Sequence, residues 1–468
     1  MSAGLPPSYE ELAALVAAQA ERIAQLEAEV AELRRQLAQN SRNSSKPPSS
    51  DSPFAKPAPK SLRGKSGRKP GGQQGHPGST LAQVADPDET LRHEPGFCGG
   101  CGANLAWAPE VGVERRQVFD LPPMRVQVIE HQLITRRCAC GITTCGKAPV
   151  QVSAPVQYGL RITAIIVYLY VGQFLSKKRT AQALAELFGT PVGEGTVATM
   201  TTRAAEGLGE FLGRVADQVA EAQVAGFDET GLRVAGRLHW VHCARTGKYT
   251  LTTCHPKRGR AGIDAANVLS RFRGIAVHDA WAPDDTYLDV THQLCCAHAL
   301  RELTGVIDTA PETTWCWTSQ VADVIVAMQT LVTDAIAAGA KALDPDALAT
   351  QIQRYHAAAQ LGITQTAARS SAVMRKHHAL ARRLIDRQDD YLRFTHDWRV
   401  PPDNNGSERD IRMIKLRQKV SGCLRTLTGA QHFCAIRSYL STAAKHRHHF
   451  FDALVMLAEG HPWLPATQ

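Results

Sequence analysis

The spacing of apolar positions changes several times along the chain, and each change marks an element. Between residues 9 and 39 the spacing alternates four and three: Leu12, Val16, Gln19, Ile23, Leu26, Val30, Leu33 and Leu37, with Gln19 the polar exception. Placing Val16, Ile23, Val30 and Leu37 at heptad position a puts β-branched residues mainly there and leucine mainly at d, a choice that favours parallel dimers. Arg22 with Glu27 and Glu29 with Arg34 are then pairs of opposite sign across the dimer. The pattern predicts a coiled coil over residues 8–40; the plainer alternative is one amphipathic helix packed on its own domain. Residues 160–220 read as helical. Within them 179–188, a turn at 189–193, and 194–205 are spaced like a helix-turn-helix, with Ala185 facing the partner helix and Gly189 opening the turn. A plain helical hairpin fits that segment as well.

From Gln223 the pattern becomes strand-like. Residues 223–234, 237–244 and 248–254, joined at Ala235-Gly236 and Arg245-Thr246-Gly247, predict a β-meander. A helix over 262–272, a strand ending at Asp279, a short strand over 293–296 and a helix from Ala297 follow. This is the element order of a ribonuclease-H-like core, a mixed sheet flanked by helices in which the first and fourth strands are neighbours. Residues 311–395 read as nearly continuous helix with breaks at Ala338-Gly339, Asp344-Pro345 and Gly362. A basic helix starts at Asn405, and helices over 429–445 and 450–459 close the chain. The expected fold is α+β and multidomain. It comprises a coiled coil (8–40), a basic Ser/Pro/Gly linker (41–90), a small β-rich module (91–150) and a helical DNA-binding region (155–220). A catalytic core (221–305 and 400–428), interrupted by an α-helical insertion (306–399), and C-terminal helices (429–468) complete it.

At 468 residues the chain exceeds what one hydrophobic core serves. Its net charge of +9 favours an anionic partner, nucleic acid first. Six cations between Lys56 and Lys69, with no acid among them, lie in a stretch too polar to fold alone. It reads either as a solvated linker or as one that lies along a DNA backbone. The longest apolar run, 162–175, is interrupted by Thr163 and Gln173 and falls short of the about 20 residues that cross a bilayer. With no leader-like N-terminus, the expectation is a cytoplasmic protein with no membrane partner.

Two constellations carry chemistry. Cys98-Gly-Gly-Cys101-Gly and, 36 residues later, Cys138-Ala-Cys140-Gly offer four thiolates in two close pairs, which suits one tetrahedral Zn²⁺. The strand-like segments 116–119 and 126–136 between and around them predict a small β module. The second pair is one residue shorter than usual, which leaves open whether Cys145 replaces one member; the alternative is cysteine used as a small core residue. The other constellation is acidic. Asp228 closes an apolar run within 223–231, Asp279 closes a second, and Glu408 stands at the start of the basic helix. Three hard oxygen donors from two strands and a helix suit two Mg²⁺ (or Mn²⁺) ions aligned on a phosphodiester, with Asp228 shared between them. Glu229 is the rival ligand, but on a strand it points to the opposite face. His298 and Arg301, three apart on one helical face, could meet the scissile phosphate, as Arg409 and Arg412 could meet DNA; a structural histidine and surface arginines are the plain reading.

These residues also carry a resemblance. Ser41-Arg-Asn-Ser-Ser-Lys-Pro-Pro-Ser-Ser-Asp, Lys69-Pro-Gly-Gly-Gln-Gln-Gly-His-Pro-Gly, Arg116-Gln-Val-Phe-Asp-Leu-Pro-Pro and Asp228-Glu-Thr-Gly resemble the transposases of the insertion sequence 66 (IS 66) family. So do His278-Asp-Ala-Trp-Ala-Pro, Cys296-Ala-His-Ala-Leu-Arg-Glu-Leu and Asn404-Asn-Gly-Ser-Glu-Arg-Asp-Ile-Arg, all in order over nearly the whole chain. The resemblance implies a DDE transposase that cuts at element ends and joins the freed 3′-hydroxyls to target DNA. It implies Asp228, Asp279 and Glu408 as the metal-binding triad, a zinc-finger-like module at 98–140, a leucine-zipper-like N-terminus, a helix-turn-helix for the terminal repeats, and small companion proteins. A homodimer or higher oligomer on double-stranded DNA is expected. Two other functions remain open: an inactive copy acting as a DNA-binding regulator, and a ribonuclease-H-like nuclease that cuts without joining.

Overall fold

A computed structural model describes residues 8–39, 81–122, 124–308 and 316–466. Most of the linker expected at 41–90 lies outside these residues. The chain divides into two units, Met1–Ala55 with Glu130–Gln468, and Lys56–Ile129.

In the larger unit the N-terminal heptads form one helix, α1 (Tyr9–Ala38), on which Val16, Ile23, Leu26, Val30, Leu33 and Leu37 are exposed. A small hairpin, β1 (Thr135–Arg137) and β2 (Thr143–Cys145), pairs Thr135 with Cys145. Four helices follow: α2 (Leu160–Val167), running into a π turn over Tyr168–Gly172, α3 (Lys177–Phe188), α4 (Glu194–Glu206) and α5 (Gly209–Ala220). Ser176 caps α3 by accepting from Arg179 N, and Gly189 ends it at φ +60°, where a side chain would be strained. Helices α3 and α4 follow one another across the turn that Gly189 opens, and one expectation for them is corrected. Leu184 and Thr180, not Ala185, are buried on α3; Ala185 is exposed, because the helix turns its longer apolar side chain inward.

The sheet is built from β3 (Val224–Val234), β4 (Arg237–Arg245), β5 (Thr250–His255), β6 (Ile275–His278) and β7 (Thr291–Leu294). Its order is β5-β4-β3-β6-β7, with β3–β4 and β4–β5 antiparallel and β3–β6 and β6–β7 parallel. The first and fourth strands are neighbours, as their order predicted. The helix expected over 262–272 is only α6 (Arg260–Ala265); Asn267 at φ +51° turns the chain out of it. After β7 come α7 (Cys296–Ile307), α8 (Trp317–Ala337), α9 (Pro345–Gln365), α10 (Ala372–Asp386) and α11 (Gln388–Leu392). The chain then returns through α12 (Asn405–Ser421), α13 (Leu427–Lys445) and α14 (Phe450–Ala458).

The chain breaks as expected at Asp344-Pro345, where Asp344 caps α9, but Gly362 is no break. It lies within α9, where an added Cβ would stand 2.5 Å from the Trp317 ring, so the glycine is a notch for that indole. Helix α8 is long and apolar enough to cross a membrane by length and composition. It buries Val321, Val324, Ile325 and Met328 in a core shared with Leu303 of α7, Tyr355 of α9 and Leu384 of α10. A second core packs α2, α5, the sheet, α13 and α14 around Phe211, Phe272, Phe433 and Tyr439.

Helix α13 also solves an edge problem. The outer side of β5 would expose unpaired backbone N–H groups; those of Thr250 and Thr252 donate instead to Thr442 Oγ1 at 3.0 Å and Ser438 Oγ at 2.8 Å.

Strands were expected over 116–119 and 126–136. Among the described residues only Thr135–Arg137 of these is strand, paired with Thr143–Cys145 beyond the second cysteine pair. Val118, Val126, Val128 and Ile129 are exposed, so their alternation has no core face to serve.

Candidate functional site

The register of β3 on β6 assembles the site. Gly226 pairs with Val277 as the last rung of the parallel ladder, and Asp228 on β3 and Asp279, directly after β6, each follow that rung by two positions. Asp228 is not at a strand tip, as the sequence pattern implied. Strand β3 runs on to Val234 because β4 pairs with it throughout, whereas β6 stops at His278. Asp228 therefore stands where β3 outruns its parallel neighbour. Ala280, at φ +60°, turns the chain sharply after Asp279, a position that costs a non-glycine residue about 1–3 kcal/mol and is tolerated where function demands it.

Helix α12 delivers Glu408, and a set of close fits holds its first turn on β3. Asn404 Nδ2 donates to Phe227 O at 2.6 Å, and Asn404 N to Cys295 Sγ at 3.2 Å. A Cβ on Gly226 would come within 2.5 Å of Ser407 Oγ and 2.9 Å of Asn404 Oδ1, both on buried residues, so glycine is required there for this approach, while one on Gly406 would displace the end of the Arg245 side chain. One turn on, Asp410 Oδ2 accepts from Arg245 Nε at 3.0 Å, Thr250 Oγ1 at 2.9 Å and Lys445 Nζ at 3.0 Å. Asn404, Asp410 and the two glycines were not singled out from sequence as positioning residues; the signal available was their place in the Asn404-to-Arg412 and 223–231 stretches.

The electrostatics reflect three acids gathered in one place. Burial, then the charges of Asp279, Glu229 and Glu408, push the Asp228 carboxyl well above its ordinary range, while Glu229 N donates to it at 2.8 Å. Burial also acts to raise Asp279. The hydrogen bond from His298 and the charges of His298, Arg301 and His278 outweigh it and hold Asp279 below the usual value. His298 Nδ1 lies 3.2 Å from Asp279 Oδ2, and Arg301 Nη2 donates to Glu408 Oε1 at 3.0 Å. His298 and Arg301 are thus neither plain core nor plain surface; each is bound to one of the acids. Asp279 Oδ1 is buried without a hydrogen-bond partner. An oxygen-only donor set with one orphaned carboxylate oxygen fits a hard divalent cation.

Glu229, whose charge bears on Asp228, is itself engaged by a cation outside the triad. Its Oε1 accepts from Arg258 Nε at 3.0 Å and Nη2 at 2.6 Å. Burial and the Asp284 charge raise it to about 7 against the pull of Arg258. A second group of metal-ligand type, His278, Asp285 and His292, brings ligand atoms within 4.8 Å of one another. Asp285 there is paired with Arg387 at 2.9 Å, and His278 Nε2 is 3.0 Å from His292 Nδ1.

On α12 Arg409 and Arg412 are exposed. Two other cations of the same helix are structural: Lys415 Nζ donates to Gly231 O at 2.7 Å, and buried Arg417 stacks on Tyr170 and Phe433. In the α3–α4 pair, Val197, Thr201 and Ala205 of α4 are buried and Arg203 is exposed. Lys178 and Arg179 are exposed on the first turn of α3.

Each cysteine pair forms its own tight turn. Gly102 N donates to Cys98 O, and Gly141 N to Cys138 O, both at 2.9 Å, with the two glycines at φ +75° and +89°. The backbone amides of Cys101, Gly100 and Gly102 lower the Cys98 thiol, and those of Cys140 and Ala139, with the Cys140 side chain, lower Cys138. Such amide donors favour thiolates. Cys145 sits at the far end of the hairpin from the Cys138–Cys140 turn, its Sγ directed to Leu133 O at 3.6 Å.

Comparison with protein families gives three matches. Residues 155–432, more than half of the chain, match the transposase IS66 family. Residues 95–141 match the zinc-finger binding domain of transposase IS66, which supports zinc, and residues 5–82 match a family of unknown function. No curated protein matches the chain.

Proposed function

The chain belongs to the IS66 transposase family, whose domains make it a transposase that binds DNA, and from that premise we propose that it is a DDE enzyme. It cleaves DNA at the ends of an insertion sequence and transfers the freed 3′-hydroxyls into target DNA. The observation that carries the reading is the meeting of Asp228, Asp279 and Glu408, from β3, the end of β6 and α12, on a sheet whose order β5-β4-β3-β6-β7 is that of a ribonuclease-H-like core.

The three carboxylates would hold two Mg²⁺ (or Mn²⁺) ions. When bound, these supply an activated water for the first cut and draw charge from the departing 3′ oxygen. The remaining work belongs to the chain's own side chains. Asn404, Gly226 and the Asp410 network hold Glu408 at the end of a rigid helix, so the donor set is in place before DNA arrives. Arg301 places positive charge beside the acids and, next to a phosphodiester, Arg301 and His298 offer donors to its non-bridging oxygens. Arg409 and Arg412 extend this surface along the backbone.

Cys98, Cys101, Cys138 and Cys140 are the proposed zinc ligands, within the matched zinc-finger segment. The α3–α4 pair is the proposed reader of the terminal repeats, with Lys178 and Arg179 on phosphate. The coiled coil joins two or more copies, small companion proteins act with them, and the protein works in the bacterial cytoplasm.

A strand-transfer assay with a duplex carrying a pre-cleaved 3′-hydroxyl end tests the chemistry. Joined products in Mg²⁺ that vanish with Asp228→Asn support the reading. Cutting without joining would make the protein a nuclease, and neither activity, with binding retained, would make it a DNA-binding regulator.

A further inference from the structure

Beside the acids lies an arginine held as few surface arginines are. Arg258, in the loop between β5 and α6, has its guanidinium 4.1 Å from the centre of the Trp281 ring and 4.8 Å from that of Trp240. One edge of the guanidinium, Nε and Nη2, is bound to Glu229 Oε1. Both anchors are tied to the proposed catalytic residues: Glu229 follows Asp228 on β3, and Trp281 follows Asp279 by two positions across the strained turn at Ala280. The side chain nevertheless remains 42% exposed, whereas Glu229 is 12% exposed.

Two ring contacts and a fork of hydrogen bonds fix the plane and the edge that the guanidinium presents. An exposed ion pair alone would contribute little and would move freely; here the rotamer entropy that an arginine loses on binding an anion has been spent in folding. The Nη1 edge is directed away from Glu229, and a planar fork of N–H donors matches a phosphate oxygen pair.

We propose that the Trp240–Arg258–Trp281 stack is a phosphate-binding site for the DNA strand entering the acidic cluster, with Glu229 as the counter-ion that orients Arg258 and not as a metal ligand. The inference rests on the transposase reading of the same site. It assigns Arg258 a positioning role: the guanidinium grips a backbone phosphate next to the scissile one and so sets which bond faces the three acids.

The test uses the full chain and a duplex oligonucleotide with a pre-cleaved 3′-hydroxyl terminal-repeat end, in Ca²⁺ so that binding is read without cleavage. Arg258→Ala should weaken binding about tenfold and make the dependence of log K on log salt shallower by about one. Arg258→Lys, which keeps the charge and loses the planar fork, should restore the salt slope and only part of the affinity. Because an alanine at 258 could also loosen the Trp281 loop, a second measurement leaves the protein intact. Single phosphates near the cleaved end are replaced by neutral methylphosphonates: in the wild type one position should cost about tenfold, and that same position should cost nothing in Arg258→Ala. Unchanged affinity and slope in Arg258→Ala, or equal methylphosphonate penalties in both proteins, overturns the proposal. Since this assay needs no catalysis, its failure is distinct from loss of strand transfer, which would overturn the enzymatic reading.

Discussion

Asp228 on β3 and Asp279, the first residue after β6, each lie two positions beyond the parallel register pair Gly226–Val277. Fifty-one positions apart in sequence, they meet because β3 and β6 share a ladder, and Glu408 joins them from α12. Asp228→Asn, Asp279→Asn and Glu408→Gln should each reduce cleavage and strand transfer to background while leaving binding to element ends intact, since an amide keeps the shape and removes the charge that holds a divalent cation. Glu229→Gln should retain most activity, because the side chain is not a proposed metal ligand and the amide keeps an oxygen acceptor for Arg258. Equal inactivity of Glu229→Gln and Asp228→Asn, read in the same assay, would sink this assignment.

Gly226→Ala tests the seat of α12. Its Cβ would press on Ser407 and Asn404, both fully buried, so the helix must shift or the strand must bend. The expected cost is about 1–3 kcal/mol, seen as a lower unfolding midpoint, with cleavage falling further than DNA affinity because Glu408 moves with the helix. A variant with wild-type midpoint and wild-type cleavage would show that the contact is not tight.

Glu229 gives the stability a pH dependence. Its carboxyl is raised from 4.5 to about 7 on folding, so between those values the unfolded chain has released a proton that the folded protein still holds. Stability should therefore fall as pH rises from about 4.5 to 7, by about 3 kcal/mol at most from this group, and level off above. Denaturant titrations across that range should show a smaller decline in Glu229→Gln than in the wild type; parallel curves would remove the effect.

Metal analysis of undenatured protein should find about one equivalent of zinc, lost in Cys101→Ser and in Cys138→Ser. Cys145→Ser should keep it, since that thiol is directed to the Leu133 carbonyl away from the Cys138–Cys140 turn. Loss of zinc in Cys145→Ser with retention in Cys140→Ser would reverse the ligand choice.

Helix α1 carries exposed Val16, Ile23, Val30 and Leu37 at one heptad position and Leu26 and Leu33 at the other. Such a stripe is stable in water when another helix covers it. Deleting residues 1–40 should lower the oligomer's mass in light scattering, and an unchanged mass would place the contacts elsewhere.

Periodicity alone located α1, the strands β3 to β7 and the helices after them, because alternation and heptad spacing are local records of which side of an element meets apolar neighbours. Residue chemistry alone also marked Asp228, Asp279, Glu408 and the cysteine pairs. What tertiary structure decided were relations between distant residues. It decided that β3 continues past Asp228, because a hairpin partner supports it; that Gly362 is a notch for Trp317 rather than a helix break; and that Lys415 and Arg417 serve packing while Arg409 and Arg412 stay exposed. The alternation at 116–119 met no core face and formed no strand. The Trp240–Arg258–Trp281 stack has no local signature, since its members come from a strand and two separate loops. A local pattern records that a side chain is to be buried or charged; which atom it meets depends on how strands and helices from other parts of the chain close around it.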